Sequence, residues 1–220
     1  MLPVADVIPS RTTPWMTIGL IAISTAVFLL AWSFPIADAS AWMLRLAFVP
    51  VGPSWTTATA ALFLHENALH LALNVMVLWI FGDNVEDQLG HLRFLALYLV
   101  SAYAGWAAAL WATPQSTVPL VGAGGPIAGV LGAYFVMFPR SRVLALVPAR
   151  SIVDAIELPA VVLAAAWFSL QAVVGLGRLD VPFRGLTAAL WPFVGGAVAG
   201  MLTVRVARRP ERRRVEWWGH

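Results

Sequence analysis

The chain contains no cysteine and no lysine, and only 11% of its residues carry charge. Without cysteine there is no disulfide, no thiolate metal site and no thiol nucleophile. Soluble domains carry about a quarter charged residues, so so sparse a supply excludes a disordered chain, a coiled coil and an aqueous globule. Every one of the fourteen basic residues is arginine, and six of them lie between Arg205 and Arg214. A pI near 10.2 raises the question of nucleic acid. Arginines gathered in one tail fit an anionic membrane surface better, and no nucleic-acid partner is expected. Internal repeats and low-complexity segments are also missing.

Apolar residues are what the chain has instead: 60% of 220 positions, with a mean hydropathy of +0.80. A spanning helix needs about 20 apolar residues, so six spans use roughly 120 and leave loops and tails. The expectation is an all-α polytopic bundle of six transmembrane helices, one membrane domain over residues 1–220 with a basic cytoplasmic tail at 206–220. The runs are Trp15 to Phe34, Ala61 to Phe81, Leu92 to Ala112, Gly124 to Phe138, Ile152 to Leu176 and Leu186 to Val206. Ala37-Asp38-Ala39 has the small residues of a cleavage site, but the run before it is longer than a signal peptide's apolar core. The first span is therefore expected to be retained.

Six spans put both termini on one side. If that side is the cytoplasm, it holds Arg11, Arg93, Arg140, Arg142, Arg150 and the six tail arginines, against Arg45, Arg178 and Arg184 outside. Positive residues favour the cytoplasmic side, so both termini are expected there. Trp15, Trp32, Trp42, Trp55 and Trp111 fall near span ends, where such rings settle at the interface.

Ionisable groups at membrane depth are costly and point to function. One predicted span gathers them: His65-Glu66-Asn67-Ala68-Leu69-His70-Leu71-Ala72-Leu73-Asn74. His70 and Asn74, four apart, share a helix face, and His65 is expected a turn and a half earlier on the same helix. These groups suit an oxyanion, a metal, or hydrogen bonds between helices. The His-x4-His spacing does not stack two imidazoles and Glu66 is the one carboxylate nearby, so neither metal nor cofactor is expected. Gly125-x-x-x-Gly129 and Gly196-x-x-x-Gly200 are small-residue ridges that let helix backbones approach. They predict that the fourth and sixth spans pack together.

With these motifs in hand the chain resembles a rhomboid, a family of intramembrane serine proteases. His65-x4-His70-x3-Asn74 is similar to the family's second-span motif, and Gly82 to Phe94 resembles the loop that follows. Pro119-Leu120-Val121-Gly122-Ala123, the helix at Gly129 to Tyr134, and Phe138 through Pro148 match further on. The likeness covers roughly residues 47 to 205. It implies a serine in Gly-x-Ser-Gly at the start of span four and a histidine in span six before a Gly-Gly pair. The tetrad reads Gly122-Ala123-Gly124-Gly125, and span six reads Trp191-Pro192-Phe193-Val194-Gly195-Gly196. Gly124 stands at the serine position and Phe193 at the histidine position.

Acyl transfer needs a nucleophilic oxygen and a base to take its proton. Glycine has no side chain and a phenyl ring accepts no proton. His65, His70 and Asn74 match groove positions, the last two of the oxyanion hole. The resemblance is thus to an inactive member, and inactive rhomboids bind membrane clients. The expectation is a pseudoprotease of the bacterial plasma membrane that holds transmembrane segments of other proteins amid membrane lipids. The competing expectation is a protease with a relocated dyad drawn from Ser101, Thr113, Ser116 or Thr117. Pro126, in the first turn of span four, is tolerable there, whereas Pro192 is expected to kink span six.

Overall fold

The computed structural model describes residues 2–6, 11–148, 153–176 and 183–207. The tail from 208 onward, Arg150 and Arg178 lie outside the described residues. Eight helices are described: α1 (Trp15–Trp32), α2 (Ile36–Leu46), α3 (Trp55–Ala60), α4 (Ala68–Leu89), α5 (His91–Ala112), α6 (Gly124–Met137), α7 (Ala160–Leu176) and α8 (Phe183–Ala207). The molecule is a helical membrane bundle. Among the described residues α1, α4, α5 and the stretch Leu190–Ala207 of α8 are long and apolar enough to cross a membrane, while α6 and α7 are shorter. Helices suit this solvent because they satisfy every backbone polar group internally.

Twelve of the fourteen residues of α6 are buried, which makes this short helix the centre of the bundle. Its neighbour α8 lies backbone against backbone. A Cβ added at Gly196 would run into the Gly125 backbone, and one at Gly200 into that of Gly129. On the other side of α8, Gly195 meets the Ala104 carbonyl of α5.

Three expectations are corrected. A three-stranded antiparallel sheet stands beside the helices, in the order β1 (Leu2–Asp6), β2 (Arg142–Pro148), β3 (Val153–Pro159). The fifth predicted span therefore begins at Ala160; residues 153–159 pair with β2, Val153 opposite Pro148 and Pro159 opposite Arg142. The apolar run there is longer than a bilayer needs, and its surplus, with Asp154, Glu157 and a closing Pro159, pairs as strand. Residues 82–89, expected in a loop, are the last turns of α4, which stops at Gly90 with φ +82°. A left-handed stop of this kind favours glycine, and α5 starts at the next residue. Finally, α4 starts at Ala68, capped by the Asn67 side chain accepting from the His70 amide at 2.8 Å. Before it runs a 3₁₀ turn, Ala61–Phe63, and an extended link. His65 sits in that link and shares no helix with His70.

Contacts at the two ends set the topology. At one end β1 pairs with β2, Thr12 bonds Asp87 at 2.7 Å, and Arg93 reaches the Ala207 carbonyl at 3.3 Å. Glu86, fully buried on α4, accepts from the amides of Met16 and Thr17 at 2.9 and 2.8 Å, from Thr17 Oγ1 at 2.7 Å and from His91 Nδ1 at 2.5 Å. Proline precedes α1 and offers it no side-chain cap, so a carboxylate from another helix satisfies those orphan amides and meets the positive helix end. At the opposite end the Phe48 and Leu120 backbones bridge. The start of α1 and the end of α8 thus share one end of the bundle.

Candidate functional site

The site forms where the link before α4, the start of α6, and the facing sides of α7 and α8 converge. Gly122 opens it. Its φ of +105° favours glycine, and a Cβ there would lie 2.6 Å from Cε1 of His70. The His70 imidazole is therefore seated on the Gly122 backbone. The Gly122 amide donates to the Ala61 carbonyl at 2.8 Å, tying this turn to the 3₁₀ segment.

Above it lies a connected set of polar groups. His65 and His70 meet edge to face with ring centres 5.0 Å apart. Asn74 Nδ2 donates to His65 Nε2 at 3.1 Å, His65 Nδ1 faces the Phe63 carbonyl at 3.2 Å, and Gln171 Nε2 donates to Asn74 Oδ1 at 2.6 Å. His65, Asn74 and Gln171 are all buried. Burial pushes the His65 imidazole down to about 4, with the Phe63 carbonyl opposing, so this ring is neutral at pH 7. His65 and Asn74 also line a water-sized cleft with Ser24, Tyr98 and Ala123.

Gly124 and Phe193 are in contact. A Cβ built on Gly124 would lie 2.6 Å from Phe193 Cε1 and 2.7 Å from Cζ. The distal edge of the phenyl ring fills the space a side chain at 124 would need. That ring is held edge-on by Trp167 at 5.6 Å and Phe168 at 5.5 Å between centroids. Pro192 lies inside α8, and its carbonyl occupies the notches left by Gly105 of α5 and Gly125 of α6. Pro126 falls in the first turn of α6.

Neither residue of that pair can form or accept a bond to an acyl group. Of the other hydroxyls considered, Thr117 is exposed and the remaining three are engaged or secluded. Ser101 is fully buried with its side chain against Gly129. Ser116 Oγ accepts the Val118 amide at 3.3 Å, and Thr113 Oγ1 donates to the Ala109 carbonyl at 2.9 Å. Among the described residues no three His, Cys, Asp or Glu side chains are grouped to hold a metal.

Sequence reasoning passed over Gln171, Trp167 and Glu86. Gln171 left one signal: it is the single carboxamide in the apolar run of α7, where a polar residue needs a partner. Trp167 left none, since an apolar helix holds aromatics on every face.

A model of the rhomboid domain matches residues 52–210. Rhomboid protein 1, mitochondrial, of Saccharomyces cerevisiae is 27% identical over 192 residues, covering 84% of this chain and 51% of that protein. Rhomboid protease GlpG of Yersinia pestis is 29% identical over 155 residues, covering 70% of this chain and 49% of the relative. Rhomboid protease GluP of Bacillus subtilis is 38% identical over 79 residues, 36% of this chain and 15% of the relative. The chain spans about half the length of the first two.

Proposed function

The chain belongs to the rhomboid family, and we propose that within it this protein is a pseudoprotease that holds transmembrane segments of client proteins without cleaving them. One observation carries the reading: the side chain at the base position, Phe193, occupies the room a nucleophile at Gly124 would need. Nucleophile and base are both lost, and the space between them is filled rather than open to a scissile carbonyl. What remains of the site is its hydrogen-bonding groups, His65, His70 and Asn74, in an integral membrane bundle. Cytoplasmic termini, supported by the distribution of arginine, and a bacterial plasma membrane go with this reading.

The test is cleavage of a generic rhomboid transmembrane substrate in proteoliposomes. Wild-type chain is run beside Gly124→Ser, Phe193→His and the double variant. Wild type is expected to give no product. An imidazole has no Cζ and holds its distal atoms closer to the ring axis, which relieves the collision with a Cβ at 124, so the double variant is the one expected to fit a serine. Product from it alone adds that the hydrogen-bonding groups are intact. Site-specific product from wild type, scaling with protein, overturns the proposal and sends the search to Ser101 and Ser116.

A further inference from the structure

Gln171 plays no part in that reading, yet the order of donors and acceptors around Asn74 ends on it. A carbonyl oxygen only accepts, so the Phe63 carbonyl at 3.2 Å places the proton of neutral His65 on Nδ1. The bare Nε2 then needs a donor, and the Asn74 amide nitrogen supplies it at 3.1 Å. That turns Asn74 Oδ1 toward α7, where Gln171 Nε2 donates at 2.6 Å. Asn74 is 2% exposed and Gln171 6%, so neither amide faces bulk solvent. A buried amide oxygen left unpaired is costly, which gives the Asn74 carboxamide one favoured orientation out of two.

We propose that Gln171 is a positioning and specificity-determining residue of the client site, an inference that rests on the binding role proposed above. By taking the acceptor of Asn74, it keeps the amide N–H groups on the side of His65 and the Gly122 turn. The side chain at position 74 then offers donors to the site and takes acceptors. In a membrane the available acceptors are carbonyl oxygens released where a helix is broken, since an intact helix bonds its own. Gln171 thus selects for a client segment that presents free carbonyls and against one that presents donors.

The chain has four histidines and no cysteine, so labelled-histidine and side-chain amide resonances can be read on the full chain in lipid nanodiscs, with His65→Gln as the assignment control. In wild type His65 should carry its proton on Nδ1 with Nε2 bare. Asn74→Asp makes position 74 an acceptor on both sides, and a proton should then appear on His65 Nε2. Gln171→Met keeps length without a donor; the Asn74 amide protons should lose their protection from exchange. Capture of a synthetic transmembrane peptide with a central Gly-Pro break should fall roughly tenfold, the loss of about one hydrogen bond, while an unbroken poly-Leu/Ala peptide is held no better by wild type than by the variant. A proton on Nε2 in wild type, or Gln171→Met leaving either the amide signals or peptide capture unchanged, overturns the inference. Wild type that captures neither peptide sinks the binding role instead, and the Asn74 and His65 signals alone then decide whether Gln171 positions the amide.

Discussion

The α6–α8 seam and the attachment of α7 solve the same packing problem by opposite means. Along the seam, Gly125 and Gly129 face Gly196 and Gly200 with no side chain between the backbones. Helix α7 is instead held by what its side chains reach: Gln171 on Asn74, Trp167 and Phe168 against Phe193. Without water to squeeze out, helices associate through close van der Waals contact and hydrogen bonds. The seam uses the first and α7 the second. A seam of glycines tolerates no added atom, whereas a side-chain junction can be rewritten one residue at a time. Gly124 on α6 and Phe193 on α8, the proposed dyad positions, lie where these two regimes meet.

That contrast can be broken at its rigid side first. Gly200→Leu should prevent stable folding, with a loss beyond the 1–3 kcal/mol of ordinary overpacking, because the obstacle is the Gly129 backbone. Val198→Leu, two residues away and facing outward at 51% exposure, should leave thermal stability in detergent unchanged. A similar melt of Val198 and Gly200 variants would mean that α8 is not seated on α6 as described.

Next in size is the carboxylate that holds α1. Glu86→Ala strips four hydrogen bonds from a fully buried group and should cost about 3 kcal/mol, as breaking buried charged networks does. Hydrogen exchange at Met16 and Thr17 should rise with it, which separates uncapping of α1 from general loosening.

The rewritable side is sharpened by a double-mutant cycle. Gly124→Ser alone should destabilise by about 1–3 kcal/mol through collision with the phenyl ring. In a Phe193→His background the same change should cost at least about 0.5 kcal/mol less, the coupling expected of residues in contact. Additive effects, measured by equilibrium unfolding, would mean that the phenyl ring at 193 does not limit the side chain at 124.

The smallest effect belongs to His65. Its folded pKa, pushed down to about 4, lies below the ordinary 6.5, so the unfolded chain binds the proton more readily. The stabilisation is complete above pH 6.5 and is lost progressively as the pH falls toward 4. At pH 5.5 the loss should be about 1.4 kcal/mol, seen as a steeper acid decline in wild type than in His65→Gln. Parallel declines would show that His65 titrates normally.

Much of this was readable in advance. The positions of α1, α5 and α8 follow from long apolar runs, and that of α6 from a shorter one, because a bilayer permits little else. The absence of a serine and a histidine at 124 and 193 is chemical identity, legible from the letters alone. What was missed has more than one cause. Residues 153–159 pair with the neighbouring strand β2, and residues 82–89 are tied through Glu86 to α1, some 70 residues away in the chain. The apolar run alone places His65 in a helix that Asn67 in fact begins, since a capping residue and an interior one look alike inside an apolar stretch.

By itself the sequence determined the solvent and the chemistry. Apolar composition demands a membrane, and a chain with glycine and phenylalanine at those two positions cannot use them for acyl transfer. The tertiary structure alone decided that the phenyl ring fills the space over Gly124, that Gln171 pairs with Asn74 from 97 residues away, and that a buried carboxylate of α4 caps α1. Each depends on which atoms of distant helices come within 3 Å or so, and hydrophobicity, being non-directional, carries no information about that.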